Sequence, residues 1–173
     1  MPEQQGEEKY KGIIKQNENL KNEKKSAFVE EEMVKIVIFS LCGSLYAFYG
    51  DYTKSILQYD LVTPVPGCPE YISGIINVRG DIESVISLHY FLGLTADAVD
   101  SRTRIIIAET MKLRSGILVN SVDDVVDIPV KSIAPPVSTL DDRIKDFVTG
   151  ELNYRNKIVT ILDVRKIFGR VSL

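Results

Sequence analysis

Short apolar runs separated by turn residues fill the chain from about residue 33 onward. Residues 34–41 (VKIVIFSL) are apolar on most positions of both faces, and residues 56–65 alternate imperfectly between apolar and polar, as a half-buried strand does. Residues 103–109 predict a further strand, with residues 113–120 pairing back on it. Many short strands, with helices of only one or two turns, are typical of small antiparallel barrels. Parallel βαβ units would need longer amphipathic helices.

Two β-branched runs, residues 73–79 and 82–87, lie on either side of Gly80-Asp81. A Gly-Asp pair between such runs predicts a β-hairpin. Ser87 is expected to cap a helical turn that follows the second run, and Gly93 is expected to end that turn.

This pattern occurs twice. EYISGIINVRGDIESVISLHYFLG begins at Glu70 and DFVTGELNYRNKIVTILDVRKIFG begins at Asp146, without a gap and at a constant offset of 76 residues. The matched pairs include Gly74 with Gly150, Asn77 with Asn153, Arg79 with Arg155, Ile82 with Ile158, and Ser87 with Asp163. The repeat predicts a duplicated β unit in which Ile82 and Ile158 are core residues and Ser87 and Asp163 are helix caps.

The predicted domain organisation is a polar tail and one folded region. Residues 1–32 carry mixed charges and too few apolar side chains to offset the entropy cost of ordering, so we expect a flexible tail, or a segment that folds on a partner. Residues 33–171 form the folded region, with a first barrel at about 33–93 and a second at about 103–171.

Composition narrows the function. Of 173 residues 45% are hydrophobic, and the net charge of −3 argues against the basic surface that nucleic acid requires. No apolar run could span a bilayer and no signal peptide is evident, so the expected location is the cytoplasm. Cys42 and Cys68 have no metal-ligand spacing, and the single histidine, His89, has no catalytic partner in sequence. We therefore expect no catalytic residue, metal or cofactor.

Several motifs resemble the chemotaxis coupling (CheW-like) family. The central motifs are Thr63-Pro64-Val65-Pro66, the turn at 69–72 (PEYI) and GIINVRG at 74–80, followed in the expected order by GILVNSV at 116–122, IAPP at 133–136 and FVTG at 147–150. The resemblance covers roughly residues 34–169.

The resemblance implies an all-β fold of two five-stranded SH3-like barrels. It also implies a non-enzymatic adaptor that joins the cytoplasmic tips of methyl-accepting chemoreceptors to the regulatory domain of the CheA histidine kinase. Such an adaptor is cytoplasmic, is recruited to membrane-associated receptor arrays without inserting into the membrane, and is expected to be a monomer outside the array.

Two groups of partner-binding residues follow from the resemblance. The family's Val-x-Glu-Ile segment, near its receptor and kinase contacts, corresponds to residues 53–56, and its hairpin corresponds to residues 77–80. The implied partner-binding residues are Thr53, Ser55, Ile56, Asn77, Arg79 and Gly80.

Arg79 lacks the glutamate with which the family's hairpin arginine commonly pairs, because that position is Ser55. A buried, unpaired guanidinium would be costly. Arg79 is therefore expected either to reach Glu83, Asp81 or Asp51, or to point into water.

Two other functions are consistent with the sequence. One is a coupling protein of a non-flagellar pathway, such as pilus motility. The other is a small-ligand-binding domain with its site in the groove between the barrels, since a fold does not dictate one function.

Overall fold

The structure is a computed structural model that describes residues 31–59, 62–137 and 140–171. The tail predicted at residues 1–32 lies outside the described residues except for its last two positions. Ten strands lie in the described ranges: β1 (Met33–Leu41), β2 (Ser44–Tyr49), β3 (Thr53–Gln58), β4 (Ile72–Val78), β5 (Asp81–Ser87), β6 (Arg104–Glu109), β7 (Arg114–Val119), β8 (Ser121–Pro129), β9 (Val148–Tyr154) and β10 (Lys157–Leu162).

The helices among the described residues are short: α1 (Leu88–Leu92), α2 (Asp142–Lys145), α3 (Val164–Phe168), and 3-10 turns at Gly50–Tyr52 and Val130–Ser132. None of the helices in this part of the chain is long and apolar enough to cross a membrane. The strand predicted at 56–65 begins earlier, at Thr53, because the break before it is confined to the 3-10 turn at Gly50–Tyr52. It ends at Gln58.

The strands form two five-stranded sheets, with the orders β8-β1-β2-β10-β9 and β3-β6-β7-β5-β4. Neighbouring strands are antiparallel except for β2 with β10 and β5 with β7, which are parallel. The all-β fold class with two five-stranded units is confirmed.

Neither sheet is built from one contiguous half of the chain. β1 and β2 pair with β8 and β10, whereas β6 and β7 complete the sheet that contains β3, β4 and β5. The assignment of residues 33–93 to one barrel and 103–171 to the other is therefore wrong. The local pattern identifies strands and hairpins, but pairing between strands far apart in sequence depends on which apolar faces they bury together.

A short crossing segment closes each sheet on itself. After β3, Thr63 exchanges backbone hydrogen bonds of 2.8 and 2.9 Å with Ile75 of β4. After β8, Ala134 makes the same pair of bonds, 2.8 and 2.9 Å, with Glu151 of β9. The two edge strands of each sheet are thus joined, which makes each sheet a small barrel.

Glycine is required where each crossing segment approaches the strand. A Cβ on Gly74 would lie 2.5 Å from the carbonyl oxygen of Thr63, and one on Gly150 would lie 2.6 Å from Cγ2 of Ile133. Gly74 also has φ of +152°. The matched glycines of the repeat thus allow the same close backbone approach in both barrels.

The duplication is confirmed by the positions of the elements. β4, β5 and α1 begin at Ile72, Asp81 and Leu88, and β9, β10 and α3 begin 76 residues later in each case. The element order of strand, two-residue turn, strand and short helix is the same in both copies.

The core has three parts. One cluster lies inside each barrel. It surrounds Ile36 and Ile38 in the barrel of β8-β1-β2-β10-β9, and Ile105 and Ile107 in the barrel of β3-β6-β7-β5-β4. A larger cluster, with contributions from both sheets, includes Phe39. Because successive side chains of a strand point to opposite faces, β1 and β6 each contribute to a barrel core on one face and to the shared core on the other.

Ile82 and Ile158 are not core residues, which corrects the sequence prediction. Their side chains are 62% and 59% exposed. Each lies one residue beyond the start of its strand, next to the hairpin turn, and burial in β5 begins only further along, at Val85. The two positions do match each other, but as surface residues.

The predicted helix caps differ in outcome. Asp163 caps α3 as expected, because its side chain accepts a hydrogen bond of 2.8 Å from the backbone N–H of Arg165. Ser87 makes no such bond to α1, because its hydroxyl lies 3.3 Å from Nδ1 of His89 instead. Gly93 ends α1 in a left-handed conformation with φ of 67°, as predicted.

Candidate partner-binding surfaces

The β4–β5 hairpin turns on two residues with positive φ, Arg79 at 55° and Gly80 at 101°. Val78 pairs with Asp81 across the turn, so the central residues are Arg79-Gly80 and not Gly80-Asp81. Positive φ at both central positions is what a type I′ turn requires. Glycine meets this requirement freely, whereas an arginine there costs about 1–2 kcal/mol.

Asn77 supports this turn from within. Its Oδ1 accepts a hydrogen bond of 2.8 Å from the backbone N–H of Gly80. Ile82, which pairs with Asn77 across the hairpin, is exposed. We call Asn77, Arg79, Gly80 and Ile82 the hairpin surface.

Arg79 is exposed and makes no ion pair with any residue in the described ranges. Two of its expected partners are taken by Arg114, whose Nε lies 3.3 Å from Glu83 and whose Nη1 lies 3.8 Å from Asp81. Asp51, the third, is also exposed. Of the two expected outcomes, the structure shows the solvated guanidinium.

The matching residue of the second hairpin, Arg155, is held by its own barrel. It has the same left-handed conformation, with φ of 49°. Its Nη2 lies 3.0 Å from Oδ2 of Asp124, and its guanidinium lies 4.8 Å from the centre of the Tyr154 ring. The hydrogen bond from the Tyr154 hydroxyl, more than the charge of Arg155, holds the pKa of Asp124 below its usual value. The two hairpins therefore share a backbone shape, but their arginines have different surroundings.

The three predicted residues of β3 are not equivalent. Thr53 and Ser55 point inward and are half-buried, and the enclosed Thr53 hydroxyl has no hydrogen-bond partner among the described residues. Ile56 points outward and is 38% exposed. β3 and β4 are the first and last strands of their sheet. The predicted residues of β3 and those of the β4–β5 hairpin therefore do not lie on adjacent strands.

An aromatic groove beside α1 was not predicted from sequence. The ring centre of Tyr71 lies 5.5 Å from those of Tyr90 and Phe91, and Phe91 lies 6.2 Å from Phe147. Charged residues complete the groove, which has a volume of about 590 Å³: Arg143, Asp146 and Arg170. Tyr71 and Phe147 occupy matching positions of the repeat. This match of two aromatic residues is the sequence signal that could have indicated the groove. Tyr90, at 53% exposed, is the ring most open to a partner.

Two small closed barrels with an exposed, strained hairpin and an aromatic groove define a binding scaffold. The chain belongs to the family of CheW-like domains, whose family model matches residues 35–172.

Individual relatives agree with this membership. The chain is 28% identical over 138 residues to the chemotaxis protein CheW of Bacillus subtilis, across 80% of this chain and 88% of that protein. It is 27% identical over 115 residues to CheW of Rhizobium meliloti, across 66% and 74% of the two chains. The crystal structure of the scaffolding protein TtCheW from Thermoanaerobacter tengcongensis is similar with a TM-score of 0.67 and 34% identity, over 77% of this chain and 90% of that one.

Proposed function

We propose that this protein is a non-enzymatic adaptor that couples methyl-accepting chemoreceptors to the CheA histidine kinase in chemotaxis signalling. The observation that carries the proposal is the match of nearly the whole folded region, residues 35–172, to the CheW-like domain family. A similar solved protein is itself described as a scaffolding protein. In this role the protein is cytoplasmic and is recruited to membrane-associated receptor arrays.

An adaptor needs separate surfaces for its two partners, and the hairpin surface and the aromatic groove are suited to this. The hairpin surface combines a solvated cation, Arg79, with an exposed apolar side chain, Ile82. The groove combines aromatic rings with charged residues at its margin. Aromatic and arginine side chains commonly dominate binding energy in protein interfaces. One partner is the cytoplasmic tip of the receptor, and the other is the regulatory domain of the kinase, which would pair barrel to barrel.

Co-sedimentation tests the function directly. The purified protein is mixed with receptor-containing membranes, with the kinase, or with both, and the pelleted fractions are measured. We expect the protein to pellet with the membranes and to bring additional kinase with it. Failure to bind either partner would overturn the proposal.

Surface variants then assign the partners. Arg79→Ala tests the hairpin surface and Tyr90→Ala tests the groove, and Arg155→Ala is the matched control because it occupies the same turn position in the second hairpin. If the two surfaces serve different partners, each variant reduces binding of one partner and leaves the other unchanged. Loss of both partners in both variants would show that the surfaces are not separate.

A further inference from the structure

Three residues that are far apart in sequence come together at one end of the first sheet. Cys42 lies in the β1–β2 turn, His89 lies in α1, and Asp97 lies in the segment between α1 and β6. The thiol sulfur, a ring nitrogen of the histidine and a carboxylate oxygen lie within 4.8 Å of one another.

We propose that Cys42, His89 and Asp97 bind a divalent transition-metal ion, with Zn²⁺ as the ion that best fits the ligand set. Thiolate, imidazole and carboxylate are the three protein ligand types that Zn²⁺ takes, and three such ligands leave a fourth position for water or another ligand.

His89 carries the strongest evidence. Its side chain is almost fully enclosed, at 6% exposed, and its Nε2 is buried without a hydrogen-bond partner among the described residues. Buried polar atoms are nearly always satisfied, so an unpaired ring nitrogen needs an explanation. Nδ1 lies 3.3 Å from the hydroxyl of Ser87. If Nδ1–H donates to that hydroxyl, the lone pair of Nε2 is left free for a metal, which is the usual arrangement of a ligating histidine.

The other two ligands are already held together. Oδ2 of Asp97 accepts a hydrogen bond of 3.1 Å from the backbone N–H of Cys42, which leaves its second oxygen available. Asn120 accepts from the same N–H at 3.0 Å, and the thiol donates to the carbonyl oxygen of Thr95 at 3.2 Å. These bonds hold the turn, in which Cys42 has φ of 50°.

The spacing is close to what a metal needs. Ligand bonds of about 2.0–2.3 Å in a tetrahedral site put the ligand atoms roughly 3.5 Å apart. Ligand atoms at the 4.8 Å limit therefore have to approach one another by up to about 1.3 Å on binding. Asp97 belongs to no helix or strand, and it is exposed, so its side chain can make that adjustment.

The site is specific to the first copy of the repeat. Ser87 and His89 match Asp163 and Arg165 of the second copy. There the pair forms an ion pair of 2.8 Å, and the arginine is 63% exposed. The position that carries a surface cation in one copy thus carries a buried imidazole in the other, beside a thiol and a carboxylate, and its Nε2 has no hydrogen-bond partner among the described residues.

A reactive thiol is the main alternative use of this cluster. Burial and the charge of Asp97 raise the pKa of Cys42, and burial lowers the pKa of His89 although Asp97 opposes this. The thiol donates its hydrogen bond to the carbonyl oxygen of Thr95 at 3.2 Å and not to His89, so the imidazole is not placed as the base that a nucleophilic cysteine needs. A metal ion displaces the thiol proton when it binds, and it binds the imidazole in its neutral form.

Metal binding tests the proposal without any partner protein. The untagged protein is titrated with Zn²⁺ in competition with a chromophoric chelator, and separately with Co²⁺ while its absorption spectrum is recorded. We expect saturable binding of a single ion, a thiolate-to-cobalt charge-transfer band, and a rise in melting temperature with Zn²⁺, because a ligand of the native state stabilises it.

Variants locate the ion. Cys42→Ser should abolish the charge-transfer band and weaken Zn²⁺ binding by more than about 100-fold. Replacing a residue that only hydrogen-bonds to a metal ligand already lowers metal affinity by about 10–100-fold, and Cys42 would itself be a ligand. Cys68→Ser is the matched control, because it removes the other cysteine, and it should change neither. Because His89 is buried and its replacement endangers the fold, Asp97→Asn is the second ligand variant. It keeps an acceptor for the Cys42 N–H and should weaken binding at least about tenfold.

The proposal is overturned if the wild-type protein shows no saturable Zn²⁺ binding. It is also overturned if the wild type and Cys42→Ser bind equally, or if the charge-transfer band depends on Cys68 instead of Cys42.

Discussion

At the scale of single residues, Arg79 and Arg155 show how one backbone shape can place the same side chain in two different surroundings. Both are left-handed residues of matched turns, with φ of 55° and 49°. Arg155 is tied to Asp124 of its own barrel, whereas Arg79 has no ion pair in the described part of the chain. The difference between them lies in the neighbours, and the repeat alone does not reveal it.

Arg79→Ala should weaken partner binding and leave stability within about 0.5 kcal/mol, because the guanidinium is a surface group without an ion pair. Melting temperature and receptor binding measured on the same sample separate the two effects. A lower melting temperature with loss of all binding would instead make Arg79 a structural residue. Unchanged melting and unchanged binding would make it an ordinary solvated side chain.

Ile82→Ala and Ile158→Ala should each change the free energy of unfolding by less than about 0.5 kcal/mol, because both side chains are largely exposed. Ile106→Ala is the control, since Ile106 is fully buried, at 0% exposed, and its truncation should cost about 2–5 kcal/mol. Urea unfolding of the three variants measures these differences. A cost near that of Ile106→Ala at either surface site would contradict the exposed placement.

At the scale of elements, each barrel depends on a strand glycine that admits a crossing segment. Gly74→Ala should cost about 2–5 kcal/mol, because it adds overpacking against the Thr63 carbonyl to the strain of a positive φ. Gly67→Ala is the matched control, since Gly67 has φ of +75° but no atom of the described residues lies within 4 Å of an added Cβ, so only the strain of about 1–2 kcal/mol applies. Denaturant unfolding should show a larger loss of stability for Gly74→Ala than for Gly67→Ala. Equal losses of stability would show that the crossing segment moves to make room for the added Cβ.

The start of α3 predicts a dependence of stability on pH. Burial raises the pKa of Asp163, but hydrogen bonds from Arg165 outweigh it and hold that pKa below the ordinary value of 3.8. A group with a lowered pKa in the folded state stabilises the protein above its unfolded pKa, and this stabilisation is lost as the pH falls through the folded pKa.

Wild type should therefore melt at a higher temperature than Asp163→Asn near neutral pH, and the difference should shrink as the pH falls below about 4. Thermal melting of both proteins across this range measures it. A difference that is constant with pH would mean that the carboxylate charge contributes nothing.

At the scale of the whole molecule, the exchange of strands makes the two barrels dependent on each other. β1 and β2 complete the sheet of β8, β9 and β10, and β6 and β7 complete the sheet of β3, β4 and β5. The large shared cluster, to which Phe39, Ile106 and Phe147 belong, then packs the two sheets together.

Fragments of residues 33–98 and 99–171 should each fail to unfold cooperatively when they are isolated, because each lacks strands that its sheets require. Mixed at equal concentrations, they should regain a cooperative transition and the far-ultraviolet circular dichroism of the intact protein. A cooperative transition of the first fragment alone would contradict this dependence.

Sequence reasoning succeeded for several features whose determining interactions are local, although the cap predicted at Ser87 and the bounds predicted for the strand at 56–65 were wrong. The strand at β1, the existence of the β4–β5 hairpin, and the cap of Asp163 on α3 all depend on residues a few positions apart. The duplication was also evident, because matched turns and glycines keep a constant offset.

The tertiary structure alone decided which strands share a sheet, why Ile82 faces water, and that Cys42, His89 and Asp97 meet. Each of these depends on contacts between residues tens of positions apart, where the free energy comes from burying faces against one another and not from local backbone preference. A strand pattern states that a face is apolar. Only the assembled fold determines what covers that face and where the core ends.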